Sequence, residues 1–243
     1  PLLDDTIMYG ASLTKTAFAY MVLQLVDEGK FDLDQPLSDY LPKSIELYDD
    51  YTDLAADERR NQVTARHVLT HSTGFANFRW LEDDRKLRFH FDPGERYAYS
   101  GEGFYLLQLA LEEGLDLDVK SEMQRRVFDR FDMKNTSMQW RPDFARNLAD
   151  GYAMDGSYEP HVERSNVSAA GSMDTTITDQ GRMWAGIVRG DGLSDHARAE
   201  LVRPQLDIRS AHQFPTLWDD KDPRAAEIGL SAGLGLVKIG RAS

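Results

Sequence analysis

A chain of 243 residues that is 41% hydrophobic and 28% charged has the composition of a folded globular protein, long enough for one large or two modest domains. Its formal net charge of −13 argues against recognition of phosphate backbones and docking on anionic lipid, both of which need a basic surface. It contains no cysteine, which excludes disulfides, thiolate nucleophiles and thiolate metal sites, and no apolar run of the roughly 18 residues that a membrane span needs. No signal peptide is visible, and a chain that opens on Pro1 rather than methionine is compatible with a leader removed or left out.

In chain order, the residues after Ser12 predict a helix: Phe18, Met21, Val22, Leu25 and Val26 follow the i, i+3, i+4, i+7, i+8 rule, and Gly29 is placed to end it. The stretch 30–44, with two prolines and a weak two-residue alternation, reads as an extended surface connection. Residues 47–62 are polar and acidic and read as a loop or a short solvated helix. Thr64 to Phe75 predicts a short helix capped by Thr64 and closing at Gly74. Pro93-Gly94 marks a turn, after which Phe104, Leu107, Leu109 and Leu111 give a helix an apolar surface. Val119 to Met133 reads as one amphipathic helix with Met123, Val127 and Phe131 along it. A small-residue stretch from Ser165 leads into a further helix capped by Thr178 or Asp179. The glycine-rich segment 228–240, with its β-branched residues, reads as a strand. A mostly helical middle with strands near both ends suggests a helical insertion into an α+β layer.

Ser12 and Lys15 lie three residues apart at the start of the first helix, so they return to nearly the same face. A serine on the first turn sits at the positive end of the helix dipole, which favours negative charge developing on its oxygen. A buried lysine beside it can lose its proton near neutral pH and accept one from the hydroxyl. Taken alone, the pair reads more readily as a helix cap and a surface charge. A second feature is Tyr99, placed just before Ser100-Gly101 in a glycine-flanked turn, where it could share a hydrogen-bond network with Lys15 or close a loop as a core aromatic.

Five segments, in order, make the pattern more specific. They are "GASLTKTAFAYMVLQLVDEGKFDLDQPLSDYLP", "VTARHVLTHSTGF", "DPGERYAYSGEGFYLLQLALEE", "VFDRFDMKNTSM" and "AAGSMDTTITDQGRMWAGI". Together they resemble the serine β-lactamase and penicillin-binding-protein-like hydrolases, in the branch that includes class C β-lactamases, D-aminopeptidases and β-lactamase-like esterases. The resemblance implies an α+β fold of the β-lactamase/DD-peptidase kind, an antiparallel sheet flanked by helices plus a mostly helical subdomain. Residues 1–40 and 168–243 would form the partial sheet layer and 41–167 the helical subdomain over an active-site cleft. It further implies that Ser12 is the acylated nucleophile, that Lys15 takes part in proton transfer, and that Tyr99 works with it as general base, general acid or both. The partner would be a small-molecule acyl substrate, with no metal or other cofactor. The resemblance favours a periplasmic or secreted location and leaves the oligomeric state open.

Two departures from the family pattern bear on function. Where the family commonly carries an asparagine two residues after the tyrosine, as a substrate-binding amide, this chain has Gly101. A peptide-like ligand would lose a contact typically worth about 0.5–1.5 kcal/mol, so esters and other small acyl substrates gain ground. The family's third motif, K-T-G or H-x-G on a strand, is expected beyond the "GLGLVKIG" region, so the chain reads as cut short at both ends. A true β-lactamase or D-Ala-D-Ala carboxypeptidase, a catalytically silent scaffold and an acyltransferase stay as alternatives.

Other patterns read as structural. Gly229 to Gly233 fits G-x-S-x-G around Ser231, but no histidine follows it. His67 and His71 have helical metal-ligand spacing, yet valine rather than glutamate follows His67. They read as a hydrogen-bonded structural pair.

Overall fold

The helix that begins beside Ser12 is deeply buried. Its residues from Ala17 to Leu23, and Leu25, are fully buried, so this helix is enclosed on every side rather than amphipathic. It ends where the sequence placed its stop. Gly29 takes φ +66°, its N–H reaches the Val26 carbonyl at 2.9 Å, and Lys30 N–H reaches Leu25 O at 3.0 Å, a glycine C-cap that satisfies two end carbonyls.

A computed structural model describes residues 2–240. The regular elements are β1 (Met8–Tyr9), α1 (Leu13–Asp27), α2 (Ala65–Leu69), α3 (Glu102–Leu115), α4 (Val119–Met123), β2 (Gly151–Tyr152), β3 (Tyr158–Glu159), β4 (Asp174–Thr175), α5 (Ile177–Arg189), α6 (Asp195–Val202), β5 (Leu206–Asp207), α7 (Pro223–Glu227), β6 (Ser231–Ala232) and β7 (Val237–Lys238). The architecture is α+β, with helices and small antiparallel sheets. Two compact units are formed by Pro1–Met21 with Asp118–Gly192 and by Val22–Leu117 with Leu193–Ser243. The division falls inside α1.

In the first unit, β1 pairs antiparallel with β4, Met8 opposite Thr175 and Tyr9 opposite Asp174. β2 and β3 form a hairpin that the sequence did not announce. α4 runs into a π-helical turn at Gln124–Phe128, so the helix expected over 119–133 is not regular, although Met123, Val127 and Phe131 are buried as its spacing implied. Phe131 packs against Tyr20 with ring centroids 5.2 Å apart. Its ring also fills the space a side chain would need at Gly186 of α5. α5 is capped by Thr176, whose hydroxyl accepts the Asp179 N–H at 3.1 Å, rather than by Thr178 or Asp179.

In the second unit, β6 pairs antiparallel with both β5 and β7. The strand expected over 228–240 is therefore a short hairpin, and β5 was not anticipated. Thr64 caps α2 as expected, in a capping box closed by His67. The helix nevertheless ends at Leu69, well before Gly74. Residues 45–62 form short 3₁₀ turns, and Tyr51 and Leu54 among them are buried rather than solvated.

Candidate active site

Ser12 stands at a sharp junction from strand to helix. The β1–β4 ladder continues one residue further through Gly10 N–H to Met173 O at 2.8 Å. A Cβ at Gly10 would sit 2.9 Å from that same carbonyl oxygen, so glycine is required by the close approach of the two backbones. Ala11 then takes φ +44°, a left-handed conformation unfavourable for alanine, and the first helical bonds follow: Leu13 N–H to Gly10 O at 2.9 Å and Thr14 N–H to Ala11 O at 3.1 Å. Thr14 fastens the junction from inside, its hydroxyl donating to Ala11 O at 2.6 Å and accepting Met173 N–H at 3.1 Å.

The Ser12 side is exposed and Lys15 is buried, at 3% exposure. Lys15 Nζ lies 3.1 Å from Ser12 Oγ and donates to the Ala170 carbonyl at 2.5 Å. Withdrawal from water disfavours the charged ammonium and brings its pKa down from the ordinary 10.5 to about 7. The segment carrying Ala170 is held by its own bonds. Ser168 Oγ accepts Ala170 N–H at 3.2 Å, Ser172 Oγ donates to Met138 O at 2.8 Å, and Tyr9 Oη donates to Gly171 O at 2.6 Å. Next along the chain, fully buried Asp174 pairs with His161 Nε2 at 3.2 Å. Burial raises the Asp174 carboxyl and the imidazole works against that rise. Thus the structure brings Ser12 and Lys15 together and adds Ala170, Thr14 and the His161–Asp174 pair, which the sequence reading did not name.

Tyr99 and Gly101 belong to the second unit, in the turn that leads into α3. Segment 71–77 grips that turn. Ser100 N–H donates to His71 Nδ1 at 3.1 Å, Ser100 Oγ to Ala76 O at 2.9 Å, and Gly101 N–H to Asn77 O at 2.8 Å. The His71 ring lies against the Tyr99 ring, centroids 4.3 Å apart, and Phe214 meets Tyr99 edge-on at 5.5 Å. His71 takes φ +55° after α2 has ended, so it does not share a helical face with His67. His67 serves the α2 cap and His71 serves the Tyr99 turn. Tyr99 also packs on the cluster of Tyr97, Ile208 and Ala232. Ser231, the serine of the G-x-S-x-G pattern, is buried in β6.

The arrangement can be set beside known proteins. The acyltransferase calJ of Penicillium decumbens is 37% identical over 78 residues, which cover 30% of this chain and 19% of that protein. The match thus spans about a fifth of that relative's length. Among solved structures, a penicillin-binding protein from Bacillus halodurans aligns with a TM-score of 0.72 at 23% identity, covering 99% of this chain and 71% of its own. Simvastatin synthase LovD from Aspergillus terreus aligns with a TM-score of 0.73 at 20% identity, covering 98% and 68%. At these identities the structural likeness speaks for the fold alone. The Beta-lactamase family model matches residues 1–230 of the 243, and the chain belongs to that family.

Proposed function

We propose that the chain is a serine hydrolase that cleaves a carboxylic ester or amide through an acyl-Ser12 intermediate. The observation that carries this reading is a buried amine, with its pKa lowered to about 7, placed 3.1 Å from an exposed serine hydroxyl. Near neutral pH a large share of Lys15 is the free amine. As the free amine, 3.1 Å from Ser12 Oγ, it can take the hydroxyl proton. Ser12 Oγ then attacks the substrate carbonyl and forms a C–O bond, and the hydroxyl proton moves to Lys15. Collapse of the tetrahedral adduct breaks the bond to the leaving group, which takes up the proton held on Lys15; the family resemblance is what gives Tyr99 a part in this transfer. Water, deprotonated by the same groups, releases the acid and restores Ser12.

Gly101 offers no side-chain amide to a peptide-like acyl group, which supports esters as the preferred substrates over β-lactams and D-Ala-D-Ala peptides. A second reading, transfer of the acyl group to an alcohol acceptor, draws support from the relative named as an acyltransferase. It differs only in what enters after acylation.

The test is labelling with a fluorophosphonate, with the adduct located by mass spectrometry, alongside turnover of p-nitrophenyl butyrate and nitrocefin. The expected result is an adduct on Ser12 that Ser12→Ala abolishes, with the butyrate cleaved faster than the cephalosporin. Labelling elsewhere or none at all defeats the acyl-serine reading. Fast nitrocefin turnover without ester cleavage defeats the ester preference.

A further inference from the structure

Tyr9 stands 45% exposed, yet its hydroxyl is committed: Oη donates to Gly171 O at 2.6 Å. Gly171 follows Ala170, whose carbonyl accepts from Lys15 Nζ. The loop also holds itself, with Gly171 N–H and Ser172 N–H each reaching Ser168 O at 3.1 Å. Glycine has more backbone freedom than any other residue. This one has room to move, because a Cβ built on it would meet nothing nearer than 3.5 Å, at Ala11. The phenol thus pins the freest residue of the segment from β1. Tyr9 is itself held: it pairs with Asp174 in the β1–β4 ladder, and the Arg164 guanidinium lies 3.6 Å from the centre of its ring. The Arg164 carbonyl in turn accepts Trp140 N–H at 2.8 Å. Ser12 comes three residues after Tyr9, so the contacts close into a ring. It runs from Ser12 Oγ to Lys15 Nζ, from Lys15 to Ala170 O, from Gly171 O to Tyr9 Oη, and through Gly10 and Ala11 back to Ser12.

We infer that Tyr9 is a positioning residue for the reaction at Ser12: its hydroxyl fixes Gly171, and thereby the Ala170 carbonyl that holds Lys15 against Ser12. This rests on the acyl-serine reading above. The phenol is committed to Gly171 O, so its contribution passes through the loop to the amine. A hydrogen bond between a half-exposed hydroxyl and a loop carbonyl adds little to folding, since water replaces it once the chain opens. Its value lies in narrowing where the amine stands. Proton transfer needs donor and acceptor within hydrogen-bond reach, and small displacements are costly.

The experiment follows fluorophosphonate labelling of the full chain over time, with kcat and KM for p-nitrophenyl butyrate measured beside it. The labelling rate constant reports how reactive Ser12 is, and the amplitude reports how much protein is folded. Tyr9→Phe keeps the ring under Arg164 and removes only the hydroxyl. It is expected to lower both the labelling rate constant and kcat about tenfold, with amplitude, KM and melting temperature held. Arg164→Leu removes the cation beside the ring; a fall of about two- to threefold is expected, and it carries the test if Tyr9→Phe does not fold. Gly171 lies outside the left-handed region and has space for a methyl group. Gly171→Ala therefore stiffens the loop, and in the Tyr9→Phe background it is expected to recover the rate about threefold. The inference is overturned by a Tyr9→Phe rate constant within about twofold of the parent's, by a loss confined to KM, or by a fall that tracks amplitude and melting temperature. A double variant no faster than Tyr9→Phe overturns it too. In each of these cases an adduct on Ser12 of the unsubstituted protein leaves the hydrolase reading standing. Absence of that adduct brings down the hydrolase reading, and this inference with it.

Discussion

The surroundings of Ser12 and those of Tyr99 are built on opposite principles. Around Ser12, reactivity comes from burial: Lys15 is taken out of water and set against the Ala170 carbonyl and the Ser12 hydroxyl. Around Tyr99, the structure works by contact: rings of His71 and Phe214, backbone bonds from segment 71–77, and a phenyl group where Gly101 has no side chain. The first region trades stability for a reactive amine, whereas the second is a packed support. Substitutions should therefore separate activity from stability around Ser12 and couple them around Tyr99.

The largest separation is expected from Lys15→Met. Removing the amine is expected to lower kcat/KM roughly 10³-fold. Stability is expected to move the other way at low pH. The Lys15 pKa falls from 10.5 unfolded to about 7 folded, so below pH 7 folding must hold a disfavoured ammonium, at a cost on the order of 5 kcal/mol. Between about pH 7 and 10.5 the unfolded chain binds the extra proton, so the stability of the lysine protein rises with pH across that window. Methionine avoids the ammonium but leaves the buried Ala170 carbonyl without the lysine donor, a loss of about 1–3 kcal/mol. Urea denaturation should find Lys15→Met more stable than the parent at pH 6 and less stable at pH 10.5. A stability difference that does not change with pH would mean that burial does not tune this lysine. The logarithm of the parent's kcat/KM should also rise with unit slope below pH 7 and level off above it as the free amine forms.

A smaller and differently shaped effect is expected around Tyr99. Tyr99→Phe keeps the ring against His71 and removes the hydroxyl, so kcat is expected to fall about 100-fold while stability changes by less than about 1.5 kcal/mol. His71→Ala removes both the ring contact and the acceptor for buried Ser100 N–H, and should destabilise by about 2–3 kcal/mol with a loss of kcat in step. His71→Asn tolerates the φ of +55° and can offer an oxygen to Ser100, so it should recover much of the stability and less of the activity. Denaturation curves paired with kcat measurements decide this; His71→Ala with full stability and lost activity would assign His71 a chemical role instead.

What the sequence made legible follows the same divide. Ser12 and Lys15 could be paired because helical spacing is written directly in the chain, and Gly29 could be placed as a stop because few other residues take that backbone. The Ala170 carbonyl had no signature, since any residue carries one. Phe78 and Gly101 lie 23 positions apart in the sequence, and nothing local says that the ring of one fills the space of the other. His71 was noticed for its spacing from His67, but α2 stops at Leu69 and that spacing lost its meaning. Strands of two residues, such as β2 and β5, are too short for an alternating pattern to register.

The finest test of the contrast is Ala11→Gly. Alanine at φ +44° holds a conformation that costs L-residues about 1–2 kcal/mol, whereas glycine adopts it freely but gives up more chain entropy on folding, about 0.5–1 kcal/mol. The balance favours the variant by up to about 1.5 kcal/mol, a small rise in melting temperature. Catalysis should respond in the opposite sense. The Ala11 turn, fastened by Thr14 and Met173, sets where Ser12 Oγ stands relative to Lys15 Nζ. A looser turn spreads that distance, and kcat is expected to fall about two- to fivefold with KM unchanged. If Ala11→Gly were instead both less stable and fully active, the strain at Ala11 would be incidental to how the hydroxyl is held, and the trade of stability for reactivity would rest on Lys15 alone.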